Sequence, residues 1–186
     1  MKLAESKNRP SAIFLDRDGT LIEDVGYLSK PEDVIWFPDT IASLRRLQRR
    51  FMLFVVSNQS GVAIGRLTID EVTAVNQHID EVLKAKGIHI KRWYVCPHSR
   101  ADRCRCMKPA PYFLNAARDA FNLDLGHSFT LGDHLHDVRF GESVGAKGLY
   151  LLTGHGAKHR HELPHGMPVY QTLTDATDFI MESTSY

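Results

Sequence analysis

Several things are scarce in this chain, and each shortage closes a class of answer. Among 186 residues there are only three cysteines, all between Cys96 and Cys106, too few and too close together for a disulfide framework. No run of some eighteen apolar residues occurs, so no membrane-spanning helix is expected, and the polar opening from Met1 to Ser11 lacks the apolar segment of a secretory leader. Neither sign of charge is in excess. The 23 Lys and Arg against 22 Asp and Glu leave a formal +1, and the basic residues are mostly dispersed. Nucleic-acid and membrane-surface binders carry a clustered basic excess, so neither partner is expected. Internal repeats, low-complexity tracts and a linker long enough to divide two domains are also missing. With 43% hydrophobic residues the chain can bury a full core. The expectation is one domain over residues 1–186, monomeric and cytoplasmic, a reducing compartment that suits free thiols.

What is present alternates. Short apolar runs at Ala12 to Asp16, Met52 to Ser57, Arg92 to Cys96, His127 to Leu131 and Gly148 to Leu152 predict strands, each ending at a polar motif or loop. Between them, helices are predicted over Asp39 to Arg49, Thr68 to Lys86, Ala110 to Phe121 and His136 to Ser143. The second opens on Thr68-Ile69-Asp70-Glu71, a capping-box pattern. Such alternation predicts an α/β fold: a Rossmann-like open parallel sheet with helices on both faces, and ligands at the carboxyl ends of the strands. The gaps Gly19 to Pro38 and Ser57 to Thr68 are too short for a large cap domain and leave room for a flap and a loop. Tyr27, Trp36 and Phe37 in the first gap read as flap packing.

The polar motifs at those strand ends carry the chemistry. Phe14-Leu15-Asp16-Arg17-Asp18-Gly19-Thr20 sets two carboxylates at the mouth of the first strand. Side chains two apart on an extended segment point the same way, so Asp16 and Asp18 can share one small volume while Arg17 points elsewhere. A lone Asp-x-Asp is often only a solvated turn, but three further motifs follow in order: Val56-Ser57-Asn58-Gln59, Met107-Lys108-Pro109, and Leu131-Gly132-Asp133 with Asp137. Crowded carboxylates need a cation, and Mg²⁺ favours one or two carboxylates plus phosphate and water. Asp16, the Asp18 region and Asp133 could supply that set. A carboxylate approaching a phosphate dianion at about 4 Å meets roughly 8 kcal/mol of repulsion at an effective dielectric near 20. One magnesium and one lysine are the minimum offset. Lys108 is the candidate lysine, and Ser57 and Asn58, with nearby backbone N–H groups, are candidates to hold phosphoryl oxygens.

The cysteines form a second constellation. Cys96-Pro97-His98 and Cys104-Arg105-Cys106 offer three thiolates and one imidazole, a closed tetrahedral Zn²⁺ set of the structural kind, inserted after the third strand as a loop over residues 96–106. Arg100, Arg103 and Arg105 stand near in sequence to balance its residual negative charge. Lys108 follows the last ligand by two residues, so zinc is expected to fix where that lysine points.

Together, over roughly residues 12–155, these motifs resemble the haloacid dehalogenase (HAD) superfamily of aspartyl-phosphate hydrolases. The resemblance implies that Asp16 is the nucleophile and forms a phospho-aspartate, and that Asp18 protonates the leaving group and then activates water. It also implies that Ser57 and Lys108 hold the phosphoryl group, and that Asp133 is the acidic metal ligand with Asp137 a second acidic position. The zinc loop resembles two related groups, heptose bisphosphate phosphatases and histidinol-phosphate phosphatases. The five-residue gap between the Cys pairs is nearer the second. Gly26-Tyr27, Asn58-Gln59-Ser60-Gly61-Val62-Ala63, Gly65 and Thr68 look like the first, which implies a small phosphorylated sugar as substrate. Ile64, Met107 and His134 stand where the heptose type commonly carries Arg, Arg and Lys. His155, His159, His161 and His165 read as a solvated loop, while His134 and His136 flank the fourth motif without an assigned task. Two non-enzymatic alternatives remain open: a stable phospho-acceptor, and a zinc-stabilised binding module.

Overall fold

The strand that ends at Asp16 is buried along its whole length, because alternate side chains enter two different cores. In the computed structural model, which describes residues 9–184, Ile13 and Leu15 of β1 (Ala12–Leu15) face one hydrophobic cluster and Ala12 and Phe14 the other. Most of the polar opening, residues 1–8, lies outside the described residues. Apolar contact on both sides is what converts a four-residue run into a central parallel strand.

Five more strands complete one parallel sheet: β2 (Met52–Asn58), β3 (Ile90–Cys96), β4 (Phe129–Gly132), β5 (Lys147–Leu151) and β6 (Val169–Tyr170). Their spatial order is β3-β2-β1-β4-β5-β6, with every pairing parallel. The chain winds outward from β1 through β2 to β3, then crosses back to β4 on the other side. The order therefore reverses beside β1, the switch point at which open sheets leave a crevice for ligand.

The first core takes helices α1 (Thr40–Leu47), α2 (Ile69–Ala85) and α6 (Leu173–Ser183) through Leu44, Leu47, Val75, Ile79, Leu83 and Ile180. The second takes α3 (Tyr112–Phe121) and α4 (Leu135–Glu142) through Phe113, Leu114, Ala117 and Phe140. Phe14 and Phe54 stack there with centroids 5.0 Å apart, tying β1 to β2. The capping box expected at α2 is present: the Glu71 N–H donates to Thr68 Oγ1, and Glu71 Oε2 accepts from the Thr68 N–H at 2.6 Å.

Most element ends fall within two residues of the sequence expectation. The helix expected from Ala110 begins at Tyr112 behind Pro111, which cannot donate to a preceding turn. The strand expected from His127 begins at Phe129, because Leu125–His127 closes a 3₁₀ turn. Two elements were not anticipated. The two-residue β6 is too short to show a period, and α6 is announced by a Thr172–Asp175 capping box rather than by a long apolar stripe. The histidine-rich stretch read as a solvated loop also differs. It contains the short helix α5 (Gly156–His159) and a 3₁₀ turn at Arg160–Glu162. Among the described residues there is no large cap: those between β1 and α1 form a flap held by bridges of Ile22 to Asp18 and Trp36. Among the described residues no helix is long and apolar enough to cross a membrane.

Candidate active site

A cavity of about 480 Å³ opens at the carboxyl edge over β1, β2 and β4, the size of a small-molecule site. Asp16, Asp18, Asn58 and Lys108 are in its wall, while Ser57, Asp133 and Asp137 lie buried beneath it.

Lys108 is the hub. Its side chain is 2% exposed and its ammonium meets three oxygens: Asp16 Oδ1 at 2.6 Å, Asp137 Oδ1 at 2.6 Å and the Val56 carbonyl at 2.8 Å. Burial works to discharge it, but Asp137 and Asp16 outweigh burial and hold its pKa above the usual lysine value. Asn58 grips the same residue by its peptide, its Oδ1 accepting from the Lys108 N–H at 3.1 Å and its Nδ2 donating to the Lys108 carbonyl at 3.4 Å. The third motif is thus fixed to the second at backbone and side chain alike.

Asp133 is completely buried. Its Oδ1 lies 2.7 Å from His134 Nδ1, and its Oδ2 accepts from the backbone N–H of His155 at 2.7 Å. Two glycines make room for it. Gly19 (φ +77°) and Gly154 (φ +52°) both adopt left-handed backbone, and a Cβ at either would collide with the Asp133 carboxylate. The Asp133 contact raises the affinity of His134 for a proton, whereas burial lowers that of His136.

Carboxylate oxygens of Asp16, Asp133 and Asp137 converge within one coordination sphere. Against them stands a single ammonium. Burial pushes the Asp16 carboxyl up to about 8 despite Lys108, with Asp137, Asp133 and Asp18 adding to the rise. That is the signature of a site short of positive charge, and a hard divalent cation on oxygen ligands would supply it. Asp18 does not turn its carboxylate to this cluster. It accepts from Gln59 Nε2 at 2.8 Å and from the guanidinium of Arg17, which sequence alternation had pointing away but which folds back beneath it. Gln59 Nε2 also donates to Ser57 Oγ at 2.7 Å.

The cysteine loop lies between β3 and α3. Five of the six pairs among the sulfur and nitrogen donors of Cys96, His98, Cys104 and Cys106 stand 3.2–3.6 Å apart, and all four donors lie within 4.8 Å of one another. A tetrahedral zinc with bonds of about 2.0–2.3 Å sets its ligand atoms roughly 3.5–3.8 Å apart, so the four fit such an ion with little adjustment. Burial holds the Cys96 and Cys106 thiols above their usual pKa, so metal must displace protons to bind. Of the three arginines near the loop, Arg105 lies over the Tyr112 ring at 4.7 Å and Arg100 reaches the cavity beside Asp16 and Lys108.

Residues missed by sequence reasoning also line this space. Asp24 comes from the flap, beside the Tyr27 already read as flap packing, and His155 from the stretch taken for a solvated loop. His155 packs edge-on to His134 and places Nδ1 3.5 Å from Asp24. Glycines on both sides of it, Gly154 and Gly156, were the available signal of a close backbone approach.

Comparison with known proteins agrees with this geometry. A HAD-hydrolase-like family model matches residues 105–176. The D-glycero-beta-D-manno-heptose-1,7-bisphosphate 7-phosphatase of Neisseria meningitidis serogroup A is 32% identical over 182 residues, covering 93% of this chain and 96% of its own. The protein of the same name from Escherichia coli K12 is 31% identical, covering 92% and 88%. A crystal structure of D,D-heptose 1,7-bisphosphate phosphatase from B. bronchiseptica, complexed with magnesium and phosphate, superposes with a TM-score of 0.85 at 26% identity over 94% of this chain and 99% of its own.

Proposed function

The chain belongs to the HAD-like hydrolases, as a relative of their heptose bisphosphate 7-phosphatases, and from that premise we propose that it hydrolyses the 7-phosphate of D-glycero-D-manno-heptose 1,7-bisphosphate through a phospho-aspartate. The observation that carries this reading is the convergence of Asp16, Lys108, Asp133 and Asp137 at the switch point of the sheet.

Asp16 attacks phosphorus from below. Its oxygen forms the new P–O bond as the bond to the sugar oxygen breaks, and Asp18 gives that departing oxygen a proton. Asp18 then takes a proton from water, which attacks the acyl phosphate and frees inorganic phosphate and the Asp16 carboxylate. Ser57 and Asn58 lie at the end of β2, where their N–H and side-chain groups can receive phosphoryl oxygens. Lys108 neutralises Asp16 and the incoming charge together. Asp16 and Asp133 would hold magnesium, which would supply the remaining positive charge. Cys96, His98, Cys104 and Cys106 would hold zinc, which would order the loop that leads into Lys108.

For the second phosphate the mouth of the cavity offers Arg100, His134, His136 and His155. Ile64 is 55% exposed and outside the cavity, and Met107 lines it without charge. The distal anion would therefore be gripped from the zinc loop and the histidines. The test is a steady-state assay of phosphate release, with magnesium, from both anomers of heptose 1,7-bisphosphate, from histidinol phosphate and from a panel of sugar and nucleotide monophosphates. A heptose bisphosphate anomer is expected to show the highest kcat/KM, and Asp16→Asn to abolish turnover. Highest kcat/KM on histidinol phosphate would overturn the substrate while leaving the chemistry.

A further inference from the structure

One buried charge has no part in the chemistry above. Arg17 lies between the two catalytic carboxylates in sequence, and it is wholly buried. Its guanidinium grips Asp18 from one side: Nε stands 3.0 and 3.2 Å from the two carboxylate oxygens, and Nη2 3.0 Å from Oδ1. The opposite edge is occupied too. Nη1 donates to Oδ1 of Asn76 at 2.8 Å. Asn76 belongs to the face of α2 that otherwise buries Val72, Val75, Ile79 and Leu83, so an amide there interrupts an apolar stripe. Packing alone would favour an apolar residue at that position, and burying an arginine pair is often no gain over well-packed hydrophobic side chains.

The arrangement fixes a plane. Two N–H groups of a rigid fork, Nε–H shared between the oxygens and Nη2–H on Oδ1, and one from Gln59 hold both oxygens of Asp18, and α2 holds the fork. A carboxyl group that must deliver a proton to an oxygen leaving phosphorus needs such orientation, since proton transfer depends on geometry first. We propose that Arg17, anchored by Asn76, is the positioning residue for the acid Asp18, and that this relay sets how well the enzyme cleaves phosphate esters of poorly departing alcohols. The step served is the first one. The Asp16–phosphorus bond forms, the phosphorus–alkoxide bond breaks with its electron pair going to the alkoxide oxygen, and the Asp18 proton goes to that oxygen.

The inference rests on the phosphomonoesterase reading, and a leaving-group comparison separates the two. Nitrophenolate departs from phosphorus without a proton, whereas a sugar alkoxide does not. Wild type, Arg17→Met, Asn76→Ala and Asn76→Asp are assayed on p-nitrophenyl phosphate and on heptose 1,7-bisphosphate, or on whichever alkyl phosphate the wild type turns over fastest. Arg17→Met is expected to lower kcat/KM on the alkyl ester by about 100-fold, within the range that a general acid contributes, and on the nitrophenyl ester by less than about 5-fold. Asn76→Ala should show the same skew at about 10-fold, and Asn76→Asp, which keeps the acceptor, should restore most of the alkyl activity. Equal losses on both esters would reduce Arg17 to a structural role and overturn the proposal, as would no loss on either. If Arg17→Met does not fold, the Asn76 pair decides on the same criterion. A wild type that releases phosphate from neither ester would instead refute the functional reading.

Discussion

Removing zinc is expected to leave the sheet standing and to disarm the lysine. The loop from Cys96 to Cys106 buries little besides Cys96 and Cys106 themselves, and its turn Arg100–Asp102 is exposed apart from the Ser99–Asp102 cap. Fixing its backbone opposes folding by about 1–2 kcal/mol per residue, on the order of 10–20 kcal/mol in all. A surface cap returns about 1 kcal/mol. Without metal the loop has nothing to match that term and should disorder. Lys108 would not drift freely, because Asn58 holds its peptide by two hydrogen bonds worth roughly 1 kcal/mol each. It would lose rigidity on its N-terminal side, and a misplacement of about 1 Å can lower a rate by about 100-fold. Protein stripped with a chelator, verified zinc-free by elemental analysis and assayed in excess magnesium, should therefore show kcat reduced by about 10- to 100-fold. Far-UV circular dichroism should be unchanged, with new tryptic cleavage at Arg100, Arg103 or Arg105. Zinc-free protein with full kcat and an uncut loop would refute the reasoning.

Further outcomes follow from the buried charges. Lys108→Met leaves Asp16 and Asp137 facing each other without a cation and should destabilise by about 3–5 kcal/mol in urea unfolding, with kcat down at least about 100-fold. The Asp16 carboxyl, raised to about 8 in the fold against its ordinary value near 4, favours the folded state most at low pH and loses that contribution as pH rises through 8. Magnesium, which needs the ionised form, should accordingly raise Tm more at pH 8 than at pH 5.5. An equal rise at both would show that Asp16 is not a ligand. Gly154→Ala drives a methyl group into Asp133 and strains a left-handed residue, so it should weaken magnesium binding by more than 10-fold in titration calorimetry while the distant α1–α6 contact is untouched.

Much of this site was legible because three of the four motifs end a strand, while Lys108 comes in from the turn before α3. Asp16 follows β1, Ser57 and Asn58 close β2, Cys96 closes β3 and Asp133 follows β4, so apolar runs stopping at polar residues marked both the sheet and its functional edge. Arg17 was misplaced because alternation holds only on an extended segment, and the chain turns at Asp18, where the Leu21 and Ile22 N–H groups bond back to the Arg17 carbonyl. His155 was read as solvated because the contact that brings it to the site, its backbone N–H on Asp133, is not revealed by side-chain identity. The tail from Val169 was unread since two residues of strand have no measurable period, although Thr172 and Asp175 spell a cap. Arg100 was read for zinc's charge, and only the three-dimensional path of the loop shows that it faces substrate space.

The position of β1 between β2 and β4 has a kinetic consequence. Its second neighbour is distant along the chain: the Ala12 N–H bonds the Ser128 hydroxyl across 116 positions, and the Asp16 N–H is held by the Leu131 carbonyl. Non-local parallel pairing of this sort is slow to form, because a long segment must close before any contact rewards it. During refolding, helix content should therefore return ahead of turnover, and the recovery of phosphate release would time the moment at which the two halves of the sheet join.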